Sequence, residues 1–297
     1  MMSKTEGQKS WGLLVVVYVF LAGCGGGLFL FSYMLSLLQW YEPVARIGLV
    51  AGPVLVAIGS IMLIFDLGSP ARCYRLFTTP RTLASSWMIR GSWILSVFII
   101  LAFAYGLPSF DLFAWLPWTR TSVTGSLIGV AAAFFAVFVP IYPGLLLGVV
   151  KSIPLWNTPA LPLLFFLSGL DTGVALLTLV SAVIPAAVGV EGFHLLAGAD
   201  VVLIALLFIA LVVYVELTRQ RGETAAKSVH LLKRPLFVIG VILFGMLVPL
   251  ALLIASTLAS GNVLMVPIEA LAGILVLVGG LLLRYSVITS GVRLPVR

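Results

Sequence analysis

The stretch PLFVIGVILFGMLVPLALLIASTL, residues 235–258, decides the class of fold. It contains no Asp, Glu, Lys or Arg and is apolar almost throughout. A helix rises about 1.5 Å per residue, so about 20 apolar residues cross the ~30 Å hydrocarbon core of a bilayer. The stretch therefore predicts a helix that spans a membrane.

The rest of the chain repeats this pattern. Its 297 residues are 62% hydrophobic and 9% charged, and the mean hydropathy is +1.22. A soluble domain would be about 25% charged, so soluble enzymes, disordered chains and disulfide scaffolds are excluded. We predict an all-α integral membrane protein, a single polytopic membrane domain over residues 1–297 whose eight transmembrane helices form two four-helix bundles. The predicted spans are 11–38, 44–65, 86–106, 122–149, 159–187, 195–217, 235–258 and 265–288.

The basic residues predict an orientation. Eight spans place both chain ends on one side of the membrane, here named side A; the opposite side is side B. Of the 17 Lys and Arg residues, most fall in the loops of side A, which is typical of the cytoplasmic side. A partner subunit that docks on some of these cations would weaken that rule. The basic loop 218–234 is predicted to be solvated, and it could also bind anionic lipid.

Haem, metal and nucleic acid are not expected in this chain. His194 and His230, the two histidines, fall on opposite sides of the membrane and cannot ligate one haem between them. Cys24 and Cys73 lack the CxxC spacing of a metal site. The net charge of +7 reflects membrane topology rather than nucleic-acid binding.

Ionisable side chains at membrane depth are the first candidates for function, because each costs at least ~2.5–3.5 kcal/mol to insert. Three of them, with two tyrosines, fall in the half of the membrane next to side A. A quinone headgroup needs hydrogen-bond donors at two carbonyls, an apolar wall and proton carriers, which such a group could supply. Alternatively, the arginine and aspartate near the middle form a structural pair and the tyrosines belong to the interfacial belt. The five residues are Tyr18, Arg90, Tyr142, Asp171 and Arg284.

Two further acids, Asp200 and Glu269, fall near side B. They could begin a proton path from that side. Alternatively, both sit at helix N-termini, where negative charge is favoured.

A run of glycines in the first span, Gly23 and Gly25 to Gly27, indicates a face of small residues. Such a face lets a neighbouring helix approach closely in a membrane.

Three segments, read together, resemble the NrfD/polysulfide-reductase membrane-subunit family. They are residues 11–27, WGLLVVVYVFLAGCGGG; residues 50–87, which include the turn DLGSPAR; and residues 141–175, IYPGLLLGVVKSIPLWNTPALPLLFFLSGLDTGVA. The end of the last span, LLLRYSVITSG, is also similar. The resemblance covers nearly the whole chain, and the third segment is its most specific part.

The resemblance implies a haem-free, quinone-reactive anchor of a respiratory oxidoreductase in the prokaryotic cytoplasmic membrane. Such anchors exchange electrons between menaquinone or ubiquinone and a ferredoxin-like [4Fe-4S] subunit, which often accompanies a molybdopterin or multihaem catalytic subunit. The family's quinone pocket lies among spans one to four on the partner side. Tyr142 matches its quinone-contacting tyrosine, whereas Tyr18 and Leu14 fall where some members carry histidine and asparagine.

The resulting hypothesis assigns the reaction to a few residues. Quinol would bind near Tyr18, Tyr142 and Asp171, with Tyr142 and Asp171 as the catalytic pair. Protons would pass through Asp66 and Asp171, and the positive charges of Arg90 and Arg284 would stabilise negative charge in the pocket. The redox centre that turns over the final substrate would lie in a partner. Alternatives are a proton-translocating subunit that uses Asp200 and Glu269, a structural anchor without quinone chemistry and, more distantly, a secondary transporter.

Overall fold

The computed structural model describes residues 12–66, 86–258 and 265–294. These residues form helices and short connections, without a strand in the described ranges. The helices are α1 (Leu13–Leu37), α2 (Glu42–Asp66), α3 (Trp87–Gly106), α4 (Val123–Gly148), α5 (Ala160–Val183), α6 (Gly189–Arg219), α7 (Glu223–Leu232), α8 (Leu236–Leu258) and α9 (Met265–Thr289).

Eight of these helices, all except α7, are long and apolar enough to cross a membrane. The predicted number of spans and the all-α class are therefore confirmed. The boundary between the fifth and sixth spans differs from the prediction, because α5 ends at Val183 and α6 already begins at Gly189. Pro185 cannot donate a helical hydrogen bond, and Gly189 adopts a φ of +63°, so the chain turns between these two residues.

The eight spans form two four-helix bundles, as predicted. In the first bundle α1 packs on α2, α2 on α3, α3 on α4 and α4 on α1. In the second bundle α5, α6, α8 and α9 close a ring in the same way. The bundles join mainly where α1 packs along α5, with smaller contacts of α4 with α5 and of α1 with α9.

The glycines of α1 explain why this helix lies at the centre of the molecule. A Cβ at Gly25 would lie 2.5 Å from the carbonyl oxygen of Gly52 in α2, and a Cβ at Gly27 would collide with Gly169 in α5. Neighbouring backbones therefore contact α1 directly from both bundles. The predicted close approach of neighbouring helices is therefore found, but the glycines do not share one face, because Gly25 lies against α2, Gly26 against α4 and Gly27 against α5.

The segment 218–234 is not the solvated loop that we predicted. Helix α6 continues to Arg219, and α7 follows it after Gly222, whose φ is +115°. Helix α7 buries Ala225, Val229 and Leu232, a spacing of four and three residues that places them on one helix face. The segment thus forms an amphipathic helix that packs against α6 on side A.

Candidate functional site

Two buried tyrosines lie together inside the first bundle. Tyr18 on α1 and Tyr142 on α4 are each 1% exposed, and their phenol groups are close enough to interact electrostatically. Within the described residues neither hydroxyl has a hydrogen-bond partner. A buried polar group left unpaired costs about 1–3 kcal/mol, so two such hydroxyls in one bundle mark a place where a ligand or water would bind.

Two glycines leave room for these aromatic rings. A Cβ at Gly91 on α3 would collide with the ring of Tyr142, and one at Gly59 on α2 would lie 3.5 Å from Cδ2 of Tyr18. Arg90 directly precedes Gly91 in the first turn of α3, and its guanidinium carbon lies 4.9 Å from the centre of the Trp87 ring. A cation therefore lies on the same turn of α3 that contacts Tyr142.

Arg284 lies at the junction of the two bundles and is fully buried. Its Nη1 donates to the Ser168 hydroxyl at 2.9 Å and to the Gly280 carbonyl at 2.8 Å, and its guanidinium carbon lies 5.5 Å from the centre of the Phe20 ring. A Cβ at Gly23 would lie 2.5 Å from Nη2, so that glycine makes room for the charged group.

Asp171 on α5 is also buried, and its charge interacts with that of Arg284. The two side chains make no direct ion pair in the described part of the protein. Asp171 Oδ1 and Arg284 Nε and Nη2 each lack a hydrogen-bond partner there. The structural pair considered as an alternative is therefore not a closed contact, because both partners keep unpaired polar atoms.

The structure divides the five residues predicted near side A between two neighbouring groups. Tyr18 faces Gly59 on α2 and lies near Tyr142, whereas Phe20 and Gly23 face Arg284. Successive helical residues are rotated by about 100° around the axis, so residues at similar depth on α1 point in different directions. Depth alone places a side chain at a level in the membrane, and the helix face decides which neighbour it meets.

Asp200 and Glu269 join Asp171 in a row of buried acids within the second bundle. Asp200 on α6 lies near enough to both other acids to interact with them electrostatically. The hydroxyl of Ser256 donates to Glu269 Oε1 at 2.7 Å, while Glu269 Oε2 and Asp200 Oδ1 have no hydrogen-bond partner among the described residues. The row connects α5, α6 and α9.

A helix N-terminus does not explain Asp200. Because α6 begins at Gly189, Asp200 is its twelfth residue and lies about 16 Å along the helix axis. The stabilisation of an anion by a helix end acts only within the first turn. That alternative is wrong for Asp200, since the true start of α6 precedes the predicted one.

Asp66, the remaining predicted residue, is the last residue of α2. Its side chain, and the segment 67–85 that follows it, lie outside the described residues.

Sequence reasoning missed the small residues that position the site. Ser168 lies three residues before Asp171 on α5, a helical spacing that could have associated the two. Gly91 and Ser256 carry no comparable local signal, because their importance comes from contacts with α4 and α9.

Fold and site together define a class: a polytopic helical membrane protein with buried phenols, carboxyls and a guanidinium inside two joined bundles. The family model described as "Polysulphide reductase, NrfD" matches residues 2–295. The protein belongs to the NrfD family, which confirms the resemblance found in its sequence.

Several characterised proteins are similar to this one. The C polypeptide of polysulfide reductase from Wolinella succinogenes is 26% identical over 290 residues, which cover 90% of this chain and 91% of that protein. Protein NrfD of Escherichia coli is 26% identical over 196 residues, 58% of this chain and 60% of that protein. The C polypeptide of selenate reductase from Mesobacillus selenatarsenatis is 24% identical over 208 residues, 59% of this chain and 49% of that protein. Two of these relatives are named as parts of reductases, one of polysulfide and the other of selenate.

Proposed function

We propose that this protein is the quinone-reactive membrane anchor of a respiratory oxidoreductase complex. It would exchange electrons between menaquinone or ubiquinone in the membrane and an iron–sulfur partner subunit. The observation that carries this proposal is the pair of buried, unpartnered hydroxyls of Tyr18 and Tyr142. The names of the polysulfide and selenate reductase relatives support a place in such a complex.

The residues present fit a quinone headgroup. A bound quinone supplies two-electron, two-proton redox chemistry, and its carbonyl oxygens need donors. The hydroxyls of Tyr18 and Tyr142 would donate to these oxygens and orient the ring, inside a bundle whose interior is otherwise mostly apolar. Arg90 on α3 would add positive charge beside Tyr142.

Asp171 would act as the next proton carrier and not as a direct contact of the headgroup. It lies across α1 from the tyrosine pair and keeps one carboxylate oxygen unpaired within the described residues. The described cation that interacts electrostatically with it is Arg284. Asp66, at the end of α2, would link the pocket to side A.

The expected partner is a ferredoxin-like [4Fe-4S] subunit, with a molybdopterin or multihaem catalytic subunit attached to it. It would dock on side A, which faces the cytoplasm according to the bias of basic residues. Charge on this side would also steer an acidic partner. The described basic residues on side A are Lys151, Arg219, Arg221, Lys227, Lys233, Arg234 and Arg293.

Replacing Tyr142 with Phe tests the proposal. The change removes one donor and keeps the ring that packs on Gly91, so assembly should be retained. We expect quinol-dependent turnover of the purified complex to fall about tenfold, the effect of losing one hydrogen bond worth about 1.4 kcal/mol. Activity with an artificial electron mediator that bypasses the membrane subunit should be unchanged.

Tyr105→Phe is the matched control. Tyr105 is a buried tyrosine of the same bundle, at the opposite end of α3 from Arg90. This variant should keep normal quinol turnover. Equal turnover in both variants and in the unaltered complex would remove Tyr142 from the reaction.

A second candidate function is proton translocation coupled to electron transfer. The observation that favours it is the row of buried acids Glu269, Asp200 and Asp171, whose charges interact in sequence. Asp171 in turn interacts electrostatically with Arg284, which lies in the side A half of α9. Carboxyl groups in series are the usual elements of proton relays inside membranes.

A further inference from the structure

A cavity of about 380 Å³ lies on side A, outside both groups of candidate residues. Its walls come from the end of α7, the beginning of α8 and the last turns of α9. The side chains that matter for its chemistry are Arg234, Leu236, Tyr285, Ser286 and Ser290. No acidic residue is among the described residues that line it.

Two largely buried serines line this cavity. Ser286 on α9 and Ser290, which directly follows the helix, are 5% and 7% exposed and lie one helical turn apart. Neither side chain makes a hydrogen bond to another described residue, whereas the neighbouring Thr289 hydroxyl donates to the Tyr285 carbonyl at 2.8 Å. Because both hydroxyls line the cavity and neither donates to a described residue, the two serines can donate to an acceptor-rich ligand.

Positive charge faces the same space. Arg234 lines the cavity, and the N-terminus of α8 follows it at Pro235 and Leu236. The guanidinium favours a phosphate group, whereas the start of α8 adds little, because Pro235 has no N–H and the N–H groups of Phe237 and Val238 already donate to the Arg234 carbonyl. The cavity therefore combines a cation with two hydroxyl donors.

We propose that this cavity binds the phosphate of an anionic phospholipid in the side A leaflet. The lipid source follows from what adjoins the cavity. Leu236 lies at its edge, and Leu236 and Ile239 are exposed on the outer surface of the membrane-spanning α8, where acyl chains would pack. Lys233, which directly precedes Arg234, would raise the local concentration of anionic lipid. This proposal does not depend on the proposed quinone chemistry.

The test compares lipid retention by the full-length protein. Protein in nanodiscs of phosphatidylglycerol and phosphatidylcholine is transferred to mild detergent, and bound lipid is counted by native mass spectrometry. We expect a retained phosphatidylglycerol molecule, and about fivefold weaker binding in Arg234→Gln, the contribution of one basic residue near an anionic headgroup. Lys227→Gln removes a charge from α7 outside the cavity and should keep binding within about twofold.

Ser290→Ala provides a second variant, which removes one donor without changing the net charge. Weaker phosphatidylglycerol binding in this variant would support the proposal. Equal retention by Arg234→Gln and Lys227→Gln would overturn it, because the charge effect would then be general. Equal retention of phosphatidylcholine would also overturn it, as would displacement of the bound lipid by millimolar inorganic phosphate, which would indicate a site for a soluble anion.

Discussion

Arg284 shows how a full charge is held inside a membrane protein. Its Nη1 donates to Ser168 and to the Gly280 carbonyl, and the Phe20 ring lies near the guanidinium. Its charge also interacts with that of Asp171 without a direct contact. The arginine is thus only partly satisfied by the described residues, and it does not form a closed ion pair with Asp171.

Arg284→Leu should lower stability because it leaves Asp171 without its opposite charge. We expect a loss of about 3 kcal/mol, the low end for breaking a buried pair, since the two groups are not in contact. Thermal unfolding in detergent measures the effect. The double variant Arg284→Leu with Asp171→Asn should recover part of the loss, and Arg219→Leu, which breaks an exposed pair with Glu216, should leave stability almost unchanged. A double variant no more stable than the single one would contradict this account.

At the scale of helices, the close contact of α1 with α5 requires glycines at the positions where the two backbones meet. Gly173 on α5 lies against the backbone of Gly27, so a Cβ there would collide with α1. On α6, by contrast, a Cβ at Gly198 would meet nothing within 4 Å. A side chain therefore does not fit at Gly173, whereas Gly198 of the same bundle leaves space for one.

Gly173→Ala and Gly198→Ala form a matched pair of substitutions. Alanine favours a helix over glycine by up to about 1 kcal/mol, so Gly198→Ala should be neutral or stabilising. Gly173→Ala should destabilise by about 1–3 kcal/mol, the cost of overpacking a close contact. Denaturant unfolding in detergent compares them. If both variants were stabilised alike, the α1–α5 contact would not be the junction that we describe.

Across the whole molecule, the two bundles contain different buried polar side chains. The first contains the tyrosine pair proposed to bind quinone, and the second contains the acids Glu269, Asp200 and Asp171. Helix α1 packs against both bundles and lies between the two groups. The proposed quinone site and the proposed proton path therefore have this helix as a common neighbour.

Asp200→Asn tests the coupling because it removes the middle acid of the row while keeping its shape. If the row carries protons, we expect fewer protons moved per electron in proteoliposomes containing the complex, with quinol turnover less affected. Glu191→Gln, a change at an exposed acid in the first turn of the same helix, should leave the ratio unchanged. An unaltered ratio in Asp200→Asn would falsify the proton-translocating function.

The sequence by itself determined the membrane class, the eight spans and the family. These properties follow from hydropathy and local pattern, because lipid selects apolar runs of fixed length. Only the tertiary structure decided that Tyr18 meets Tyr142 while Arg284 lies on another face of α1, and that Asp200 belongs with Asp171. Such neighbours depend on which helix faces approach closely at Gly27, Gly91 and Gly173, and lateral packing between segments distant in the sequence leaves no signal in the hydropathy of either one.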